Sequence, residues 1–483
     1  MKILVIQLAR LGDIFISWPA LRALKRTHPE AEIHVLTRPK FASALVGLNV
    51  VDKIHHLPSR EILAPLVQLN LDVQEAFQRM DSFVQVLTAE KYDWIVNQTF
   101  SPFSSYLTHA ITHPETKVVG YSRFSDGYLA IPDDMSAYFY AQVGVGRANR
   151  FHLTEIFASQ MGLDLIESDW AGPDLMPVPK QELPEEYFVL HVGASEATKA
   201  LQANDWALII RQLHQYYPIS CVLIGAPGEK NIAEAIAQHV ESIRLVNLVG
   251  ETNIQDLFPI IKNAEALLGC DSAPMHIASL VKTPCLNISF PAVNFWETGP
   301  RAPGSFVIKF ADLNSVQHDK VGKALYRMIT GDKQDIGIIP VQPGAPSYWA
   351  LTTKQSDFEW HLLKALYIGD DFPSTEDNTV FEGIQKLDEM NKIMIDQMKF
   401  VTGGGDLLKV SPIIERGEEV IEAIGKLVPS LKVLIKWYQT EKIRIAPADQ
   451  KQILARTLEI HELLQKVLEL YIAHPSEAGR ELE

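Results

Sequence analysis

The chain has 483 residues, which is too long for one hydrophobic core and predicts roughly three domains. Apolar residues make up 47% and charged residues 21%, as in a soluble protein, and no apolar run reaches the about 18 residues that a membrane-spanning helix needs. The start lacks the pattern of a signal peptide, so we expect a cytoplasmic location. A net charge of −15 argues against a nucleic-acid partner.

The chain opens on a short apolar stretch that leads into a helix. Residues 2–8 predict a buried parallel strand, and Gly12 marks the turn that follows. Asp13 stands at the start of the helix, beyond the carboxyl end of the strand, where an open α/β sheet binds its ligands. A carboxylate there can serve as a general base. The position is equally typical of an acid that caps a helix N-terminus, so both interpretations stay open.

An α/β pattern continues through residues 1–175, which we assign to a first Rossmann-like domain. Phe41 to Leu48 predicts a short helix, and the aromatic, glycine-rich stretch 124–146 shows no period and predicts a loop. Further strands are predicted at 32–37, 51–57, 92–97 and 117–121. The alternation of strands and helices indicates a parallel sheet. Prolines in residues 168–186 mark a joint between domains.

A second α/β series covers residues 180–340. Its strands are predicted at 187–193, 220–225, 243–248, 266–270 and 284–288. Cys221, Cys270 and Cys285 lie in or beside these apolar runs, which favours buried, reduced thiols over a disulfide framework or a zinc site. Two successive α/β domains with a proline-rich joint imply a cleft between them.

Residues 376–483 change character and predict an all-α bundle. Three long helical runs are expected at 380–398, 413–438 and 449–472. Nothing in them resembles a nucleophile, a metal cluster or a phosphate loop. We interpret the bundle as a packing module, a site of self-association or the seat of a protein partner.

The most specific local motif runs from Asp271 to Ala278. A buried strand ends at Asp271, and the helix that follows offers the N–H groups of Ser272 and Ala273 to an anion such as phosphate. His276 lies one turn inside this helix and can donate to the same anion. The alternative is that His276 is satisfied by Asp271.

Two further residues follow strands of the same domain. Lys199 comes after the turn at Gly193 and could reach a diphosphate, although lysines are more often surface charges. Glu229 follows the turn at Gly225 and could accept hydrogen bonds from two ribose hydroxyls. The sequence contains no Asp-x-Asp, no P-loop, no nucleophile elbow and no metal-ligand spacing, so we expect no metal.

Together these motifs resemble glycosyltransferase family 9, the heptosyltransferases of lipopolysaccharide core assembly. The resemblance covers about residues 1–330 and leaves the predicted bundle outside. It rests on four segments: Arg10-Leu11-Gly12-Asp13, Trp18-Pro19-Ala20-Leu21, residues 271–278, and Phe290-Pro291 with residues 296–300. Ala273 and Gly250-Glu251 depart from the usual family pattern.

The resemblance implies a GT-B fold, in which two Rossmann-like domains face a cleft, and an inverting transfer that needs neither a metal nor another cofactor. In that case Asp13 matches the catalytic base, Lys199 the residue that steadies the departing diphosphate, and Glu229 the ribose contact. The stretch from Asp271 through Ser272 and Ala273 to His276 matches the phosphate-binding helix start.

The resemblance therefore implies transfer of heptose or a related sugar from a nucleotide-diphospho-sugar, with ADP-heptose as the expected donor. The acceptor is expected to be a glycan or a lipopolysaccharide-core-type hydroxyl. Basic residues outnumber acids in residues 1–60, and Arg10, Arg38 and Lys40 could seat an anionic or lipid-linked acceptor. A peripheral contact with the inner membrane fits such an acceptor. The alternatives are a GT-B-shaped binding or scaffold protein without turnover, and a nucleotide-sugar epimerase.

Overall fold

The computed structural model describes residues 1–178, 180–194, 196–331, 338–339, 347–350 and 358–473. The chain divides into two compact units. The first comprises Met1–Gln98 and Phe151–Thr353, and the second comprises Thr99–Arg150 and Lys354–Glu483.

Strands and helices alternate along the α/β part of the chain, and the elements described between residues 358 and 473 are helices. The strands are β1 (Lys2–Ile6), β2 (Glu32–Thr37), β3 (Lys53–His56), β4 (Trp94–Asn97), β5 (Lys117–Gly120), β6 (Ser122–Arg123), β7 (Leu129–Ala130), β8 (Tyr187–His191), β9 (Ser220–Ile224), β10 (Leu245–Asn247), β11 (Ala266–Cys270), β12 (Cys285–Ser289), β13 (Phe306–Lys309), β14 (Ile338–Ile339) and β15 (Ser347–Ala350). The helices are α1 (Leu11–Thr27), α2 (Ser59–Leu63), α3 (Val73–Thr88), α4 (Pro102–Ile111), α5 (Asp134–Gln142), α6 (Leu153–Gln160), α7 (Ala203–Tyr216), α8 (Lys230–His239), α9 (Ile254–Lys262), α10 (Ala273–Val281), α11 (Phe295–Thr298), α12 (His318–Thr330), α13 (Phe358–Ile368), α14 (Asn378–Thr402), α15 (Leu407–Leu427), α16 (Lys432–Ile443) and α17 (Gln450–Ala473).

The first unit contains two parallel sheets. One has the order β3-β2-β1-β4, with β1 in the centre between β2 and β4. Ile3, Leu4, Val5 and Ile6 of β1 are fully buried, as a central parallel strand covered on both faces requires. This confirms the strand predicted at the start of the chain.

The other sheet has the order β10-β9-β8-β11-β12-β13-β15-β14 and is parallel apart from the antiparallel pair β14–β15. Its core packs Phe188 of β8 and Trp206 of α7, both almost fully buried, among aliphatic side chains of the neighbouring strands. The three cysteines are free and buried. The two sheets, each built from alternating strands and helices, confirm the Rossmann-like fold class with a helical extension.

The second unit corrects two sequence expectations. Residues 124–146 are not a loop: they contain β7, which pairs with β6, and the helix α5, whose N-terminus is capped by Asp133 accepting from the Ser136 N–H. The predicted helical run 413–438 is two helices, because it breaks at Pro429, where a short 3₁₀ turn separates α15 from α16. Proline lacks the N–H that a continuing helix would need there.

A third difference lies in the first unit, where the helix predicted from Phe41 is a 3₁₀ helix, Pro39–Leu45. Pro39 begins this helix, because the fixed φ angle of proline suits a first helical turn.

The helical extension has a polar centre. Asn391 of α14 donates to the backbone oxygen of His461 on α17 at 2.9 Å and to Gln465 at 3.0 Å. Nε2 of the His461 ring lies 2.9 Å from the Tyr438 hydroxyl. Buried polar groups that satisfy each other fix one register between the helices. Among the helices that the structure describes, none combines the length and the apolar character needed to cross a bilayer.

Candidate active site: a cleft between two parallel sheets

All ten residues that the sequence singled out line one cleft of about 1150 Å³ in the first unit. They come from loops and helix starts that follow the carboxyl ends of strands in both sheets, which is where open α/β sheets bind ligands. They are Arg10, Asp13, Arg38, Lys40, Lys199, Glu229, Asp271, Ser272, Ala273 and His276.

Asp13 lies in the first turn of α1, which begins at Leu11, one residue before the expected turn at Gly12. Its Oδ2 accepts the backbone N–H of Arg10 at 2.9 Å, so the carboxylate caps the helix and lines the cleft at the same time. Burial raises the pKa of Asp13, and the nearby charge of Asp271 adds to this effect, while the contacts with Arg10 oppose it. A carboxylate held in place and made more basic in this way suits a proton acceptor.

Gly12 lies at a close approach between α1 and α10. A Cβ added to Gly12 would lie 3.0 Å from Cδ2 of His276, which is tighter than an ordinary contact. The His276 ring is buried, and this burial lowers its pKa to about 4. His276 is therefore neutral at neutral pH and can act there as a hydrogen-bond donor but not as a cation.

Lys199 is the buried cation of the cleft. Only 5% of the residue is exposed, and its Nζ lies 3.1 Å from the backbone oxygen and 3.5 Å from Oδ2 of Asp271. The other oxygen of Asp271 accepts from the Thr298 hydroxyl at 2.8 Å. The lysine is thus held at the start of α10 and is not a solvated surface charge.

The N-terminus of α10 supplies unpaired backbone N–H groups on the same wall of the cleft. Ser272 is the N-cap residue in an extended conformation, and its hydroxyl meets Nδ1 of His191 at 3.0 Å without capping the helix itself. Ala273 and Pro274 begin the helix. The positive end of the helix dipole and Lys199 together create a site suited to an anion.

Glu229 occupies a space that two glycines leave open. Its Oε2 accepts the Ala226 N–H at 2.7 Å. A Cβ added to Gly193 would lie 1.8 Å from Oε1 of Glu229, and one added to Gly225 would lie 2.5 Å from Oε2. Burial raises the pKa of Glu229. The carboxylate is therefore fixed against the floor of the cleft.

Residues 80–308, slightly less than half of the chain, match the model of glycosyltransferase family 9 (heptosyltransferase). This segment is therefore similar to glycosyltransferase family 9. Curated relatives include lipopolysaccharide heptosyltransferase 3 of Escherichia coli, 24% identical over 313 residues, which cover 59% of this chain and 82% of the relative. Lipopolysaccharide heptosyltransferase 1 of Campylobacter coli is 22% identical over 310 residues, covering 60% and 83%.

Solved structures with a similar fold are found as well. E. coli heptosyltransferase WaaC with ADP matches with a TM-score of 0.51 at 16% identity, over 68% of this chain and all of that one. A family 9 glycosyltransferase of Veillonella parvula matches with a TM-score of 0.50 at 15% identity, over 68% of this chain and 97% of that one. At this level of identity the likeness concerns the fold, which is GT-B.

The cleft also contains residues that the sequence did not single out. His191 ends β8 and contacts Ser272, and Gln255 donates to the backbone oxygen of Ser43 at 2.6 Å, which joins the two walls. A polar residue at the end of an apolar strand was the available signal for His191.

Arg10, one of the three basic candidates, forms an ion pair with Glu196 at 3.0 Å across the cleft.

Arg38 and Lys40, the other two basic candidates, are exposed at the rim of the cleft. The ammonium of Lys40 lies 4.5 Å from the centre of the Phe41 ring. Exposed cations at a rim remain accessible to an incoming anionic ligand.

Proposed function

We propose that this protein transfers a sugar from a nucleotide-diphospho-sugar to an acceptor hydroxyl with inversion, and that the transfer step needs no metal. The observation that carries the proposal is the arrangement of one cleft. The Asp13 carboxylate lies on the wall formed by the first sheet. The start of α10, with Lys199 beside it, lies on the wall formed by the second.

In the proposed reaction the acceptor oxygen attacks the anomeric carbon while Asp13 takes up the hydroxyl proton. The bond between the anomeric carbon and the diphosphate oxygen breaks, and the departing diphosphate carries the negative charge. The N–H groups at the start of α10 and the Lys199 ammonium stabilise that charge. Attack from the face opposite the leaving group inverts the configuration.

We further propose ADP-heptose as the donor and a lipopolysaccharide-core hydroxyl as the acceptor. Two kinds of evidence support this choice: the curated relatives are named lipopolysaccharide heptosyltransferases, and a solved neighbour contains ADP. Arg38 and Lys40 at the rim are the proposed contacts of an anionic acceptor. Arg10 is a third proposed contact, which becomes available when its ion pair with Glu196 opens. The peripheral membrane contact and the partner of the helical extension stay predictions.

A panel of nucleotides tests the donor. We expect ADP to raise Tm more than UDP, GDP or CDP at equal concentration, because the nucleotide with the lowest Kd stabilises the folded state most. A ligand present at about 100 times its Kd adds about 2.7 kcal/mol of stability. Differential scanning fluorimetry measures the shift. An equal response to all four diphosphates would support a nucleotide-diphosphate site but contradict the choice of ADP.

A product assay tests the reaction class. We expect ADP-heptose to be consumed only when a lipopolysaccharide-core acceptor is present, with mass spectrometry showing one heptose added. Conversion of the donor without an acceptor would indicate an epimerase. Nucleotide binding without turnover on any tested acceptor would favour a scaffold.

The substitution Gly193→Ala tests the position of Glu229. The added methyl would displace the Glu229 carboxylate, so we expect ADP affinity to fall by about 10–100-fold, the effect of losing a hydrogen bond to a charged group. Isothermal titration calorimetry measures the affinity. Gly228→Ala is the matched control, since a Cβ there meets nothing within 4 Å. Unchanged ADP affinity in Gly193→Ala would remove Glu229 from the ribose site.

A further inference from the structure

A second cluster of ionisable side chains lies in the first unit, on and beside β2 and β3 and apart from the cleft. It comprises His34 on β2, His55 on β3, Glu90 after α3 and Tyr92 before β4. Three of these side chains offer atoms that can bind a metal: a ring nitrogen each of His34 and His55, and a carboxylate oxygen of Glu90. These three atoms all lie within 4.8 Å of one another. None of these residues lines the cleft described above.

Three of the polar atoms form a compact triangle. Nδ1 of His34 lies 3.2 Å from Nε2 of His55, and the Tyr92 hydroxyl lies 3.0 Å from the first and 3.1 Å from the second. Ligand atoms about 2.0–2.2 Å from a tetrahedral zinc ion are separated by roughly 3.3–3.6 Å. The two imidazole nitrogens, 3.2 Å apart, are therefore already close to the spacing of two ligands on one zinc ion.

The orientation of His34 is already fixed by a carboxylate. Its Nε2 donates to Oε1 of Glu32 at 2.7 Å, which leaves the lone pair on Nδ1 pointing into the cluster. A carboxylate that orients the far nitrogen of a histidine is the usual second partner of a metal-binding imidazole. His34 is fully buried, and His55 is 8% exposed, so neither side chain is a flexible surface group.

Glu90 brings the negative charge. Its two carboxylate oxygens pair with Lys2, at 2.7 Å, and with Lys53. Both ammonium groups compete with a cation for this carboxylate. The Lys53 side chain is 49% exposed and can turn into solvent, which would free one oxygen of Glu90.

We propose that His34, His55 and Glu90 bind a divalent transition-metal ion of the zinc class, with the Tyr92 hydroxyl beside the ion. Two imidazoles and one carboxylate form a ligand set that zinc accepts. The site ties β2, β3 and the end of α3 together, so its expected role is structural. It is independent of the proposed sugar transfer.

Titration of the metal-stripped full-length protein with ZnCl₂ tests the proposal. We expect saturable binding of one ion, a rise in Tm, and visible absorption typical of tetrahedral Co²⁺ when CoCl₂ replaces zinc. His55→Gln should weaken zinc binding by more than about 100-fold, and Glu32→Gln by about 10–100-fold. His56→Gln is the matched control, because His56 is the exposed neighbour on the same strand and should bind zinc as the unaltered protein does.

Lys53→Met separates a metal site from a purely hydrogen-bonded cluster without touching a buried residue. Removing the competing ammonium should raise zinc affinity about tenfold. Absence of saturable binding would overturn the proposal and leave a hydrogen-bonded His–Tyr–His group. Zinc binding that neither His55→Gln nor Lys53→Met alters would equally overturn it, because the ion would then be held elsewhere. Failure of sugar transfer alone would not bear on this site.

Discussion

Asp13→Asn is expected to lower turnover by about 10²–10⁴-fold while leaving ADP affinity unchanged, because the substitution removes the proposed proton acceptor and keeps the shape of the side chain. The asparagine oxygen can still accept the Arg10 N–H that the carboxylate now accepts, so α1 should begin at the same place. Steady-state kinetics with donor and acceptor, together with calorimetric titration of ADP, separate loss of chemistry from loss of binding.

Asp72→Asn is the matched control for this prediction. Asp72 also caps a helix N-terminus, at α3, but does not line the cleft, so turnover should be unchanged. If Asp13→Asn kept full turnover, Asp13 would be a helix cap and nothing more. A parallel loss of Tm and of turnover would likewise assign it a structural role.

The pH profile offers a second measurement on Asp13. Since burial raises its pKa above the ordinary value of 3.8, the active carboxylate form should be lost, as pH falls, at a higher pH than for an exposed aspartate. We therefore expect kcat/KM to decline on the acid side before the protein unfolds. Circular dichroism at each pH provides the check on folding, and the acid limb should be absent from the residual activity of Asp13→Asn.

Lys199→Met is expected to lower kcat by about 10²–10³-fold, which is the effect of removing one group that stabilises charge developing in a transition state. Methionine retains most of the length and the apolar stem of lysine but none of its charge. ADP affinity should fall as well, because the diphosphate is present in both the complex and the transition state. Transfer rates at saturating donor isolate the effect on kcat.

Lys262→Met provides the comparison for Lys199→Met. Lys262 is an exposed lysine in the last turn of α9 and lies outside the cleft, so its loss should leave transfer unchanged. Lys199→Arg should recover part of the activity if charge is what matters. Equal kcat for Lys199→Met and the unaltered protein would show that the start of α10 stabilises the leaving group without this cation.

The sequence predicted the α/β framework well where apolar strands are followed by polar turns. Residues 2–8 and 266–270 are such strands, and the structure has β1 and β11 there. It failed for α5. The three aromatic residues of this helix, 138–140, are consecutive and therefore point to different sides of it, so the sequence shows no helical period. It also joined α15 and α16, because the apolar period on both sides of Pro429 continues across the break.

The cleft could be predicted because its residues follow strand ends, and the sequence shows such an end as a polar turn after an apolar stretch. The cluster at His34, His55 and Glu90 could not, since its members are separated by 21 and 35 positions and meet only where β2 pairs with β3 and the turn after α3 lies beside them. Spacing rules find ligands that share one helix or loop. Ligands that come from neighbouring strands need the fold first.

The fit of Glu229 between Gly193 and Gly225 has an evolutionary consequence. A side chain at either glycine would collide with the Glu229 carboxylate in its present place, and the carboxylate reaches that place because both positions lack a side chain. The three positions therefore form one epistatic unit, in which a change at one site alters the effect of changes at the others. Divergence of this part of the cleft should require coordinated substitution at these positions, with single changes disfavoured along the way.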